Sequence, residues 1–149
     1  MEQYIVFTVN KQNFAVDISV VERIIESQEP KKTPETSDYF LGVTQYSGDI
    51  LPNIDLSKRL YKVSTPEEKG TKVIVVIWKD KFIGLKVDDV IGVQNFHDEQ
   101  FEESNRNMNL SKKYMLGFIK EKDDIIIVLD INKIFDEEQE EELLLALDS

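Results

Sequence analysis

Tyr39-Phe40-Leu41-Gly42-Val43-Thr44-Gln45-Tyr46-Ser47-Gly48-Asp49-Ile50-Leu51-Pro52-Asn53-Ile54-Asp55-Leu56-Ser57-Lys58-Arg59-Leu60 has a second copy downstream, in Tyr114-Met115-Leu116-Gly117, Asp124-Ile125 and Leu129-Asp130-Ile131-Asn132-Lys133-Ile134-Phe135. The copies align without a gap: Tyr39 with Tyr114, Leu41 with Leu116, Gly42 with Gly117, Asp49 with Asp124, Ile50 with Ile125, Asp55 with Asp130 and Lys58 with Lys133. Apolar strands resemble one another through composition alone, but ungapped agreement at turn glycines and aspartates is harder to obtain that way. A weaker echo joins Ile5–Ile24 to Ile74–Val93, upstream of each copy. One supersecondary unit is therefore used twice, over approximately residues 1–62 and 63–149. The expected product is two similar half-domains with a cleft.

Working outward, Gly42–Tyr46 and Asp49–Ile54 read as strands joined at Ser47-Gly48, where glycine takes the positive φ of a tight turn. Asp55 ends an apolar strand and can accept from the first free amides of a helical turn over Leu56–Leu60; Asp130 repeats this before Ile131. Gln3–Val9 alternates, and Phe14–Ile18 returns after a polar turn, which makes a hairpin. Ser19 is expected to cap a short helix over Val20–Ile25, and Pro30 and Pro34 mark Glu29–Asp38 as a surface loop. Val63–Gly70, with Pro66 and Gly70, reads as a crossing linker.

In the second unit Thr71–Trp78 and Lys81–Val87 form a hairpin, and Val90–Asn95 another strand. Asp98–Asn109 is expected to be a mobile polar excursion with little to pack. Tyr114–Lys120 and Asp124–Leu129 close the repeat around Glu121-Lys122-Asp123. Asp136-Glu137-Glu138-Gln139 resembles a capping box that starts a final helix ending in Leu143–Leu147. Short strands at close spacing with little helix predict a mainly β chain built of small barrels.

The 149 residues are enough to bury about two-thirds of the unfolded surface, so folding needs no staples. There is no cysteine, which removes disulfides, thiolate metal sites and Cys nucleophiles together. Behind Met1 there is no basic and apolar leader, and the longest apolar run, Val73–Trp78, is far too short to span a bilayer, so a soluble intracellular protein is expected. The net charge is −11, and Asp136–Ser149 holds seven acids and no base. Acids near a helix N-terminus suit the macrodipole, so that run reads as a solvated helix face. Nucleic-acid binding would need a basic stripe, and only scattered pairs such as Lys31-Lys32 and Lys112-Lys113 exist. Anionic membrane is disfavoured for the same reason.

Groups for bond-making chemistry are nearly missing. His97 is the one histidine and sits in the polar stretch Asn95-Phe96-His97-Asp98, where a solvent-facing role fits better than a general base. A histidine metal centre is excluded by count. Asp88-Asp89 and Asp123-Asp124 lack the staggered ligands of a calcium loop, and no glycine-rich phosphate cradle occurs. No cofactor or metal is expected, and an enzyme is disfavoured. An acid-dependent enzyme would rest on Asp88-Asp89 alone.

Tyr4-Ile5-Val6-Phe7, Phe14-Ala15-Val16-Asp17-Ile18, Val21-Glu22-Arg23-Ile24-Ile25, Gly42-Val43, Gly48-Asp49-Ile50-Leu51-Pro52-Asn53-Ile54-Asp55-Leu56 and Gly84-Leu85-Lys86-Val87-Asp88-Asp89-Val90 together resemble the CheW family of chemotaxis coupling proteins. The likeness covers nearly the whole chain and lies in order and spacing rather than in any one motif. It implies a single CheW-like domain of two intertwined five-stranded barrels related by pseudo-twofold repeat, with strands exchanged between lobes. It also implies no catalysis: such proteins bridge the cytoplasmic tips of chemoreceptors to the regulatory domain of the histidine kinase CheA, and pack with other CheW-like domains in receptor arrays. Localisation would be cytoplasmic, peripheral to the membrane through protein contacts.

By that resemblance the receptor tip lies against Ile18, Val21, Ile24, Val90 and Val93, and the kinase against Tyr46, Ser47, Gly48, Asp49 and Leu51. Val21→Arg is then expected to weaken receptor binding with the fold intact. Two positions depart from the family. Ser47 stands where Arg is habitual, and Arg23 where Glu is frequent; those two habitual residues can pair, so losing both avoids an orphaned charge. The changes leave open an adaptor or decoy serving a signalling partner outside chemotaxis.

Overall fold

The computed structural model describes residues 2–32, 37–68, 71–103 and 114–147. Within them run β1 (Glu2–Val9), β2 (Gln12–Asp17), β3 (Val21–Glu26), β4 (Phe40–Tyr46), β5 (Asp49–Asp55), α1 (Leu56–Tyr61), β6 (Lys72–Trp78), β7 (Lys81–Val87), β8 (Asp89–Phe96), β9 (Phe101–Glu103), β10 (Met115–Glu121), β11 (Asp124–Leu129) and α2 (Glu137–Leu147). One sheet has the order β8-β1-β2-β11-β10-β9, the other β3-β6-β7-β5-β4. Replacing each strand of the first unit by its repeat partner in the second (β1 by β6, β2 by β7, β3 by β8, β4 by β10, β5 by β11) converts one order into the other, β9 aside. Each sheet thus takes its central hairpin from one unit and its flanking strands from the other. The units join along two parallel seams, β2 with β11 and β5 with β7, and two antiparallel ones, β1 with β8 and β3 with β6.

The repeat extends to irregularities. The β4–β5 register slips between Phe40 and Gly42, and the β10–β11 register between Met115 and Gly117. Asp55 N donates to Tyr39 O and Asp130 N to Tyr114 O, both at 2.8 Å. Glu22 in β3 and Ile91 in β8 are the bulged residues opposite β6 and β1.

Closed barrels, expected from the spacing, are replaced by two open sheets whose edges share no ladder. Closure needs a matched shear and tilt, whereas bulges at Glu22 and Ile91 twist the edge strands away. The first sheet curls all the same. Along β1, Ile5, Phe7 and Val9 enter the main core while Tyr4 and Val6 join Ala15, Phe96, Ile119, Ile126 and Val128, all from that one sheet, in a smaller core on its other face. The period-two alternation of a strand with both faces covered produces this division. The main core between the sheets centres on Trp78, Phe7, Ile54, Leu56, Ile74, Leu85 and Ile134, with Leu143 of α2 as a lid.

The helix expected over Val20–Ile25 does not form. Ile18–Val20 is one 3₁₀ turn whose cap is Asp17, not Ser19: the Asp17 carboxylate accepts from Ser19 N at 2.9 Å. Val21–Glu26 then runs as β3, because Val21, Ile24 and Ile25 are stiff β-branched side chains suited to a pleated edge. Asp98–Asn109 is likewise not wholly an excursion: Asp98–Gln100 is a 3₁₀ turn and Phe101–Glu103 pairs with β10, while residues 104–109 lie outside the described ones. Of the Glu29–Asp38 loop, Lys31 bridges to Val43 and residues 33–36 lie outside the description.

The capping carboxylates fall where the sequence puts them. Asp55 accepts from Lys58 N at 3.2 Å and Asp130 from Asn132 N at 3.0 Å. Asp55 is also buried and bonded to the crossing segment, accepting from Thr65 N at 2.9 Å and Thr65 Oγ1 at 2.6 Å. Lys86, buried beside it in the register, pairs with Glu67. At α2, Asp136 and Gln139 exchange side-chain and backbone hydrogen bonds as a capping box requires. Among the described residues, no helix is long and apolar enough to cross a membrane.

Candidate docking surfaces

β3 and β8 are repeat partners and each is a sheet edge, so each offers one unpaired side. Val21 and Val90 hold equivalent positions next to the bulges, where they oppose Val76 and Phe7. Together with Ile18 they are partly buried against the main core. Ile24 and Val93, also equivalent, turn outward and are 37% and 53% exposed. The bulge adds Ile91, 50% exposed, a residue that sequence reading passed over. β3 and β8 lie in different sheets and share no ladder; the 3₁₀ turn at Ile18–Val20 touches both β1 and β6 and so ties their frames together. The five positions expected to meet a receptor therefore divide into three that brace the core and two that face solvent.

The other predicted edge is the β4–β5 hairpin. Ser47 at φ 49° and Gly48 at φ 80° make the tight turn, both exposed beside exposed Asp49, whose carboxylate accepts from Ile50 N at 3.0 Å. Tyr46 is half-buried and meets Phe82 of β7 edge-on at 5.9 Å. Leu51 does not belong to this surface. It is fully buried, its side chain packed with Val73 and Asn53 over Gly84, because β5 lies between β4 and β7 with both faces covered. Phe82 and Ile77 replace it: they oppose each other across β6 and β7 and are each 38% exposed. Leu147 of α2 closes the same hollow. The alternation of Lys81-Phe82-Ile83 carried that signal, but the sheet order was needed to set Phe82 beside Tyr46.

Arg23 is exposed on β3 and Ser47 sits in the turn beyond the opposite edge strand, with β6, β7 and β5 between those edges in the order. Among the described residues no hydrogen bond or ion pair joins them.

Between the two units lies a cluster that the sequence did not mark. The Arg59 guanidinium stands 4.8 Å from the Tyr114 ring centroid and 5.8 Å from that of Tyr39, the repeat-equivalent tyrosine. Its Nη2 donates to Gln139 Oε1 at 3.1 Å, so α1, α2 and both copies meet at one cation. Burial is the main reason that the Tyr39 phenol is pushed above its ordinary value. Phe135 packs on Tyr39 at 5.9 Å and edge-on to Trp78 at 5.9 Å, which continues the junction into the core.

The described residues thus form two sheets built by strand exchange, with outward apolar edges and a cation-centred junction. The chain belongs to the CheW-like family, whose profile, described as CheW-like domain, matches residues 3–139. It is 33% identical over 131 residues to the chemotaxis protein CheW of Thermotoga maritima, covering 88% of this chain and 85% of that one. It is 27% identical over 138 residues to the chemotaxis protein CheW of Bacillus subtilis, covering 92% and 88%. The scaffolding protein TtCheW from Thermoanaerobacter tengcongensis superposes with a TM-score of 0.85 at 25% identity, covering 93% of this chain and 94% of that one.

Proposed function

We propose that this chain is a chemotaxis scaffold that couples the cytoplasmic tips of chemoreceptors to the histidine kinase CheA, and that it does so without catalysing a reaction. The observation that carries this reading is family membership over residues 3–139 in a fold whose two repeat-equivalent edge strands present apolar side chains to solvent. Such a protein acts by holding partners in fixed relative orientation. In this reading Ile24, Val93 and Ile91 are the contacts for the receptor helices, on a base formed by Ile18, Val21 and Val90. Tyr46, Ser47, Gly48 and Asp49, with Phe82, receive the CheA regulatory domain, and other CheW-like domains are further partners. The protein works in the cytoplasm, held at the membrane through its receptor. Weak single contacts are compatible with function because array avidity multiplies them.

Val21 is a poor probe of the receptor edge, since it packs against the core. Val93→Arg and Ile24→Arg test it better, because both side chains already face solvent. Titration against a receptor cytoplasmic fragment is expected to show affinity reduced by about thirty-fold or more, the scale of a hot-spot loss, with Tm unchanged. Unaltered affinity in both variants refutes the assignment. An adaptor for a different signalling partner is supported by Arg23 and Ser47 alone; failure to bind CheA alongside capture of another partner would select it.

A further inference from the structure

One depression lies apart from both docking surfaces, at the junction of α1 with the β10–β11 hairpin. Its inner part is an apolar cavity of about 100 Å³ walled by Phe14, Leu60, Tyr61, Tyr114, Met115 and Leu129. Tyr114 is also a wall of a wider basin of about 650 Å³, where Arg59, Lys62, Lys133, Asn132 and Gln139 converge. The shared wall makes the two parts neighbours. Consecutive residues at the end of α1 divide between them: Leu60 and Tyr61 line the cavity, while Arg59 and Lys62 line the basin. Lys62 is the left-handed residue that ends the helix, at φ 63°.

The charge is unusual for its setting. In a chain of net charge −11, three cations face one basin whose single acid, Asp136, already accepts from Gln139 N at 2.9 Å. Among the described residues neither Lys62 nor Lys133 is in an ion pair. Arg59 is held in place by Gln139 and by the Tyr114 hydroxyl, which accepts from Nη1 at 3.4 Å, while its buried Nε has no hydrogen-bond partner among the described residues. Grouped cations repel one another, and an anion relieves that repulsion while accepting charge-assisted hydrogen bonds. Next to the cations the cavity offers apolar surface that water fills poorly.

We propose that this depression binds a small organic monocarboxylate with an apolar body. Its carboxylate sits between Lys62, Lys133 and Arg59, and its hydrocarbon end enters the cavity against Leu60, Tyr61 and Met115. Charge complementarity selects the anion, and the apolar wall selects against a bare inorganic one.

The test is a two-dimensional amide NMR titration of the full chain with sodium octanoate. Saturable shifts are expected at Lys62, Tyr61, Tyr114, Met115 and Lys133. Affinity should fall about four-fold for each methylene removed from the part of the ligand that is buried. Octanol and inorganic phosphate should each bind at least about ten-fold more weakly than octanoate. Lys62→Glu combined with Lys133→Glu should weaken octanoate about ten-fold or more and leave octanol unchanged, with Tm as in the parent. If charge reversal lowers Tm, the Lys62→Gln, Lys133→Gln pair is read instead. Absence of saturable shifts, octanoate affinity untouched in the lysine variants, or phosphate binding as tightly as octanoate would each overturn the proposal.

Discussion

Gly42 and Gly117 stand at the same point of the repeat and are fixed there by the same collision. A Cβ on either would lie 2.1 Å from a carbonyl oxygen, that of Lys31 in one copy and of Glu102 in the other. Gly42 is also at φ +123°, whereas Gly48, at φ +80°, has open space around it. The three alanine variants should therefore separate. Gly48→Ala carries only the left-handed penalty, about 1–2 kcal/mol. Gly117→Ala carries overpacking alone, about 1–3 kcal/mol. Gly42→Ala adds backbone strain to overpacking and should cost about 3 kcal/mol or more. Urea midpoints at constant m-value measure the series. A Gly42→Ala variant as stable as Gly48→Ala would show that the Lys31 segment simply moves aside. The identity of the two glycines was legible as a repeat, but its cause was not, since the crossing segments at Lys31 and Glu102 have no local pattern in common. Leu51 was misread for a related reason: in β5 every residue from Leu51 to Asp55 is buried, so alternation does not say which side chain faces out.

At the scale of elements, α2 shows what local pattern can and cannot reveal. Its capping box and its acidic first turn were readable from Asp136 to Gln139, because both depend on residues within one turn. Its anchors were not: Lys79 pairs with Glu140 at 3.1 Å, Ser37 donates to the Glu142 carboxylate and Arg59 to Gln139, all from distant parts of the chain. β3 failed in the opposite direction, since a candidate cap at Ser19 suggested helix until β6 supplied a pairing edge. Within α2, Glu137 faces Glu141 and Glu138 faces Glu142 at the i,i+4 spacing, where like charges repel by about 0.2–0.5 kcal/mol a pair. Glu141 is exposed. Glu141→Lys replaces one repulsion by an attraction in the favoured orientation and should stabilise by about 0.5–1 kcal/mol. That corresponds to about 1–4 °C in a thermal scan. The gain should shrink in 0.5 M salt, about the concentration at which surface charges are well screened. A gain that persists undiminished in salt would mean that helix propensity, not charge, produced it.

At the scale of the molecule, strand exchange makes each unit incomplete without the other. Cut in the crossing linker, the first fragment, residues 1–68, would keep the β1–β2 and β4–β5 hairpins but leave β3 unpaired, because among the described residues β3 pairs only with β6. The second, residues 69–149, would keep β6–β7 and β9-β10-β11 but lose β1, which holds β8, and both parallel seams. Isolated hairpins are marginal in water, and the main core draws Phe7, Phe14, Ile54 and Leu56 from one fragment and Ile74, Trp78, Leu85 and Ile134 from the other. Neither fragment should therefore unfold cooperatively alone. Mixed, they should restore the native state, with a break in the titration at one to one. Trp78, the one tryptophan, reports this directly because it is fully buried in the shared core. Its emission should lie to the red in the isolated second fragment and move to the blue on mixing. If that fragment alone shows blue emission and a sharp thermal transition, the two sheets are separable after all. The repeat would then be a pair of lobes placed side by side, and the fixed geometry of the two docking edges would need another source.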